Sequence, residues 1–198
     1  MGLIYAVNPF GADHQSSEHD PILRTKPGSI HRKRLGELGI FDDLPTTDLS
    51  DAKVRFAYYT QCFYSLMDTL GLCQFVWGAS WQLYGPSETV ELVKYGTGWD
   101  TTLWELMKAG ERRMILMRAF NAREGIGKAA DVLPAKLFKK LLGAGPTAGV
   151  ALDPAEMERA RELYYQLAGC DPATGYPTRA KLVDLGLDWL AEKIVATR

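Results

Sequence analysis

With 198 residues, 46% hydrophobic and 11% aromatic content and a formal net charge of −1, the chain is a globular protein of one medium domain or two small ones. That charge balance excludes a strongly basic surface for nucleic acid or an anionic membrane. Cys62, Cys73 and Cys170 are too few and too far apart for a disulfide framework, and no CxxC occurs.

A reducing, cytoplasmic compartment fits this cysteine usage. The opening MGLIYAVNPFGADH has no basic n-region and does not read as a signal peptide. No run approaches the roughly 18 apolar residues of a membrane span.

In chain order, residues 3–7 resemble a strand, weakly. Helical periodicity is scarce up to about residue 50, and Pro9, Pro21, Pro27 and Pro45 interrupt the segment. The reading is an irregular segment, 1–50, followed by an α-helical domain, 51–198. An irregular stretch of this length is either functional or separated from what it packs on. Residues 8–48 are expected to be the least ordered part of the isolated chain.

A helix starts at Asp51, with Asp48 or Ser50 as its cap. Phe56, Tyr59, Phe63, Met67 and Leu70 recur at helical spacing, and Gly71 stops the helix in the left-handed conformation. CQFVWGASWQLYG, residues 73–85, is apolar or aromatic on nearly all sides and is expected to be buried. PSETVELVKYG reads as a short helix from Ser87 to Gly96.

The longest helix is expected over about residues 101–121, opened by a capping box of Thr102 and Glu105. A turn, an apolar patch broken at Pro134 and a glycine-rich loop follow. Asp153 and Pro154 start another helix, whose apolar face is Met157, Ala160, Tyr164 and Leu167. Thr178 caps one or two last helices, with a break near Gly186. The fold class is all-α: an irregular array of about six helices with an irregular N-terminal stretch.

Two stretches carry chemistry-bearing residues. GADHQSSEHD, residues 11–20, concentrates Asp13, His14, Glu18, His19 and Asp20. Such a set can move protons or hold zinc. Yet the two histidines are five apart, whereas a helical ligand pair wants four, and a solvated loop explains the composition as well. Asp68 and Cys73 flank a glycine turn. Cys73 reads either as a thiolate ligand on a tightly turned backbone or as a buried cysteine after a helix end. One cysteine cannot hold an iron–sulfur cluster. Arg123 and Glu124 in FNAREG suit a ligand phosphate or an ion pair at a helix end.

The order of these stretches carries a family resemblance. GADHQSSEHDP, DTLGLC, FNAREG with a following LP, and YYQLAGCDPATGYPTRAKLVDLGL together resemble the C-terminal part of tungsten-containing aldehyde:ferredoxin oxidoreductases, across nearly the whole chain. The resemblance implies a tungsten bis-pterin (molybdopterin-type) cofactor beside a 4Fe–4S cluster. At matching positions, Asp68 and the backbone at Leu72 would contact a pterin. Cys73 would be the fourth cluster ligand, and His14 a proton-transfer group near tungsten. The family's other cluster cysteines form an upstream C-x-x-C-x-x-x-C motif that this sequence lacks.

The resemblance therefore implies the C-terminal helical domain of an enzyme that oxidises aldehydes to carboxylates, with electrons leaving through the cluster to ferredoxin. Its partners would be N-terminal domains carrying the remaining cysteines, and ferredoxin. By itself the chain is expected to be an inactive fragment that binds no cofactor. The competing expectation is a cofactor-free helical interaction module that docks a protein through Trp77, Trp81 and Tyr84.

Overall fold

A computed structural model describes residues 1–195. The helices are α1 (Gly2–Val7), α2 (Ile30–Glu37), α3 (Asp51–Leu70), α4 (Pro86–Thr97), α5 (Leu103–Arg123), α6 (Pro154–Leu167), α7 (Arg179–Asp184) and α8 (Ala191–Val195). Single 3-10 turns lie at Asp20–Arg24, Ala135–Phe138 and Asp188–Leu190. Among the described residues there is no strand, only isolated bridges between Trp77 and Tyr84 and between Cys170 and Pro177. The fold is all-α, as expected.

Residues 3–7 are a correction, because they belong to α1. Leu3, Ile4, Ala6 and Val7 are all buried, a pattern one helical face satisfies and strand alternation does not. The segment before residue 50 is less irregular than its prolines imply. It also contains α2, and Ile22, Leu23, Leu35 and Ile40 are core residues.

α3 starts and stops where its signals place it. The Asp48 carboxylate accepts the Ser50 N–H at 3.0 Å, and Gly71 takes φ 67°. The Leu72 N–H then closes back on the Met67 carbonyl at 2.9 Å, which satisfies one of the helix's last acceptors. At the start of α5 the capping box forms: Glu105 N–H donates to the Thr102 hydroxyl at 3.3 Å, and Thr102 N–H donates to the Glu105 carboxylate at 2.8 Å. Asp153 caps α6 and Thr178 caps α7 through their side chains.

α3 and α5 form the central pair. Their contact is backbone on backbone at Gly110, where a Cβ would stand 2.1 Å from the Cys62 carbonyl oxygen. Around this pair lie two apolar clusters. One joins α1, α3, α5, α6 and α7 through Ile4, Val54, Ile115, Tyr164 and Leu182. The other joins α2, α3, α4 and α5 through Leu35, Phe63, Met67, Val93 and Leu106.

Residues 73–85 are the second correction. Phe75 is 81% exposed and Leu83 71%, with Trp81 and Tyr84 also exposed. Of the loop's apolar side chains only Ala79 is buried in the core, with Trp77 packed partly against it, and polar bonds hold the rest. The buried Arg34 guanidinium donates to the carbonyls of Ser80 (3.3 Å), Gln82 (2.6 Å) and Leu83 (2.8 Å). Anchoring the backbone this way leaves the aromatic rings turned outward.

Candidate functional site

The two chemistry-bearing stretches meet at one open cleft of about 440 Å³. The α3 C-terminus contributes Ser65, Asp68, Gly71, Leu72 and Gln74; the loop after α1 contributes Asn8, Phe10, Asp13, Gln15 and Ser16; α5 contributes Arg113 and Met117. Asp68 and Leu72 therefore line the cleft together. His14 and Cys73 are not lining residues, although their neighbours Asp13, Gln15 and Gln74 are.

Asp68 sits in the last turn of α3, two residues before its end at Leu70, and lines the cleft. Its Oδ2 pairs with Arg113 Nη1 at 3.0 Å, and its Oδ1 accepts the Gln74 amide at 2.9 Å. A carboxylate has about four acceptor positions. These two bonds leave capacity for a ligand donor. Arg113 was not singled out in the sequence. It is one of several charged residues on a long amphipathic helix, and only the crossing of α3 and α5 brings it to Asp68.

Cys73 lies just past the left-handed turn at Gly71 and is an exposed free thiol. Its carbonyl accepts the N–H groups of Val76 (3.0 Å) and Trp77 (2.9 Å), so the backbone curls immediately behind the sulfur. Cys62 and Cys170 are buried in the core. Burial raises the Cys170 thiol to about 11 and carries the Cys62 thiol higher still.

His14 is exposed, with its ring nitrogen 3.1 Å from the Gln15 side chain. His19 reaches back to the His14 carbonyl at 3.0 Å, and its ring packs 5.7 Å from Trp81. Among the described residues, no group of three or more His, Cys, Asp or Glu side chains is arranged to hold a metal ion. Glu18 from the same motif is fully buried. Its Oε1 accepts the His19 N–H at 3.1 Å and the Tyr64 hydroxyl at 3.4 Å, while its Oε2 has no hydrogen-bond partner. Burial outweighs these bonds and raises its pKa to about 7.

The FNAREG stretch ends α5. Arg123 and Glu124 pair with each other on the surface at 2.7 Å. Asn121 instead donates to the Pro9 carbonyl at 2.8 Å and ties α5 to the loop that carries His14. No helix among the described residues is long and apolar enough to cross a membrane.

The family model described as aldehyde ferredoxin oxidoreductase, domains 2 and 3, matches residues 1–187. A tungsten-containing aldehyde ferredoxin oxidoreductase of Pyrococcus furiosus is 30% identical over 141 residues, covering 71% of this chain and 22% of that protein. The protein of the same description from Thermococcus kodakarensis is also 30% identical over 141 residues. Among solved structures, the active-site complex BamBC of benzoyl coenzyme A reductase, bound to 1,5-dienoyl-CoA, shares the fold. Its TM-score is 0.61 at 22% identity, covering 78% of this chain and 21% of that one. The chain thus spans about a fifth of the length of the relatives it matches. It belongs to the aldehyde ferredoxin oxidoreductase family and corresponds to that family's domains 2 and 3.

Proposed function

We propose that this chain supplies the C-terminal wall of a tungsten-pterin site in an aldehyde ferredoxin oxidoreductase-type enzyme, with Cys73 as one ligand of a 4Fe–4S cluster. The observation that carries the reading is the pairing of the family match with the exposed Cys73 thiol beside an Asp68-bearing cleft. When bound, the pterin-held tungsten and the cluster supply oxidation of an aldehyde to a carboxylate and passage of electrons to ferredoxin.

The residues present fit part of that assembly. A 4Fe–4S cluster takes four protein ligands, usually thiolates. Cys73 can be one of them, and Cys62 and Cys170 are locked in the core. The other ligands must come from a different part of the family architecture, in keeping with the fifth of the relatives' length that the chain spans. Asp68, already oriented by Arg113 and Gln74, accepts a further hydrogen bond from a pterin donor. Leu72 lines the same cleft and would meet the pterin through its backbone. His14, exposed on the opposite loop, takes and releases a proton. The irregular segment 1–50 would line the cofactor, and the helices after it would form the supporting domain. A reducing cytoplasmic setting suits the free thiols.

The exposed Trp81 and Tyr84 also suit a docking surface, but the family match favours the oxidoreductase reading over a free-standing interaction module. The test is anaerobic iron–sulfur reconstitution, with iron counted per chain. The chain alone should stay colourless. A complex with the family's remaining domains should turn brown, and Cys73→Ser in that complex should remove the colour. Full loading of the isolated chain, or an unchanged cluster with Cys73→Ser, would sink the proposal.

A further inference from the structure

A buried one-way chain of hydrogen bonds runs from the core to the loop that carries His14. The Tyr164 hydroxyl on α6 donates to Gln61 Oε1 on α3 at 2.5 Å. The Gln61 amide donates to Asn8 Oδ1 at 3.1 Å. The Asn8 amide then donates twice, to the Gly11 carbonyl and to the Ser16 hydroxyl, both at 2.8 Å. The Ser16 hydroxyl donates to Asp13 Oδ2 at 3.2 Å, and Asp13 Oδ1 accepts the Gln15 N–H at 2.9 Å. Tyr164 is fully buried, Gln61 is 2% exposed and Asn8 8%.

The direction of this chain follows from what each group can do. A tyrosine hydroxyl that donates forces the facing end of Gln61 to be its carbonyl. The amide end of Gln61 then faces Asn8, which must present its own carbonyl. The Asn8 donors are thereby aimed at Gly11 and Ser16, the two ends of the turn that contains His14. The Gly11 carbonyl can only accept, so it holds the Asn8 amide in the same sense from the loop end. Without the Tyr164 hydroxyl, Gln61 Oε1 loses its donor inside the core, and the Gln61–Asn8 bond that steadies the loop weakens.

We propose that Tyr164 and Gln61 are positioning residues that fix the orientation of Asn8 and thereby the shape of loop 11–16. The functional meaning of that shape rests on the proton-transfer role proposed for His14. The physical claim does not, and it can be tested on the chain as it stands.

Amide hydrogen exchange at Gly11, Gln15 and Ser16 reads the loop directly, because their N–H groups bond to Asn8 and Asp13. Tyr164→Phe should lower protection at these amides roughly threefold to tenfold, the size of one lost hydrogen bond. Asn8→Asp keeps the acceptor for Gln61 and removes both donors, so it should do at least as much. Tyr58→Phe serves as control, since its buried hydroxyl donates to Glu111 and lies outside the chain. It should leave the loop unchanged.

Gln61→Glu separates direction from mere packing. The ionised carboxylate cannot donate to Asn8; the protonated acid can, while its carbonyl still accepts from Tyr164. Loop protection should therefore be low at about pH 8 and recover by about pH 5, by clearly more than the parent chain recovers through Glu18. The titratable and charged groups of the cleft and its loop, Asp13, His14, Glu18, His19, Asp68 and Arg113, are common to both proteins and cancel in the comparison. If Gln61→Glu unfolds at high pH by circular dichroism, Tyr164→Phe decides alone. Protection within twofold of the parent in Tyr164→Phe, or a Gln61→Glu loop equally loose at both pH values, overturns the proposal. A failed cluster reconstitution would count against the cofactor reading and leave this result standing.

Discussion

Glu18 shows what residue type alone conceals. In the sequence it is one of several acids in a polar motif. In the structure it is fully buried, with one oxygen unpartnered and its pKa raised by burial to about 7 from an ordinary 4.5. Below about pH 4.5 the folded and unfolded chains both hold this proton. Between there and about 7 only the folded chain does, so stability falls as pH rises through that window. The loss is on the order of 3 kcal/mol. Glu18→Gln removes the charge and keeps the shape. Thermal melts should show the variant roughly 6–12 °C more stable than the parent at pH about 8, with the difference shrinking by pH about 5. A constant difference at both pH values would show that burial is not penalising the charge. Near the cleft, the turn that carries Asp68 and Cys73 was legible because a glycine stop signal stood between them, and the structure keeps that turn at Gly71. Arg113 and Gln61 were not, since their partners lie on other helices and sequence spacing does not encode a helix crossing.

Helix ends were written plainly in the sequence. Gly71, the Thr102–Glu105 box, Asp153 with Pro154, and Thr178 each mark a boundary that the structure keeps. These signals are local, involving one turn of backbone, so no tertiary information is needed to read them. Gly110 is the opposite case. It sits inside α5, where glycine is unfavourable by about 1 kcal/mol relative to alanine. Its reason is the contact with Cys62 and Leu66 backbone atoms of α3, 2.1 and 2.8 Å from where a Cβ would stand. Gly110→Ala should therefore destabilise the chain despite its better helix propensity. The expected cost is about 1–3 kcal/mol, because neither backbone can yield without moving a whole helix. Urea unfolding measures it; a variant as stable as the parent would mean the helices can separate freely. The strand expected at 3–7 failed for a related reason, since five apolar residues fit either period and only the core beneath them chooses.

On the scale of the whole molecule, the misread segment is 73–85. Its composition called for burial, and the structure exposes Phe75, Trp81, Leu83 and Tyr84 around the Cys73 turn. Monomeric proteins seldom leave so many large apolar side chains together on one surface unless something covers it. Composition says that such residues seek an apolar neighbour; it cannot say whether that neighbour lies within the same 198 residues. If these side chains contribute nothing to this chain's own core, replacing them should cost it little. Phe75→Ser with Leu83→Ser should change unfolding free energy by no more than about 0.5 kcal/mol per site, the ordinary range for surface substitutions. The same pair should reduce self-association at high concentration, seen by sedimentation as a shift toward monomer. In complex with the family's remaining domains, the pair should instead weaken assembly. A loss of stability in the isolated chain as large as a core substitution, about 2–5 kcal/mol, would show that the loop belongs to this chain's own core. Equal assembly with and without the two phenyl and isobutyl groups would show that the covering partner binds elsewhere.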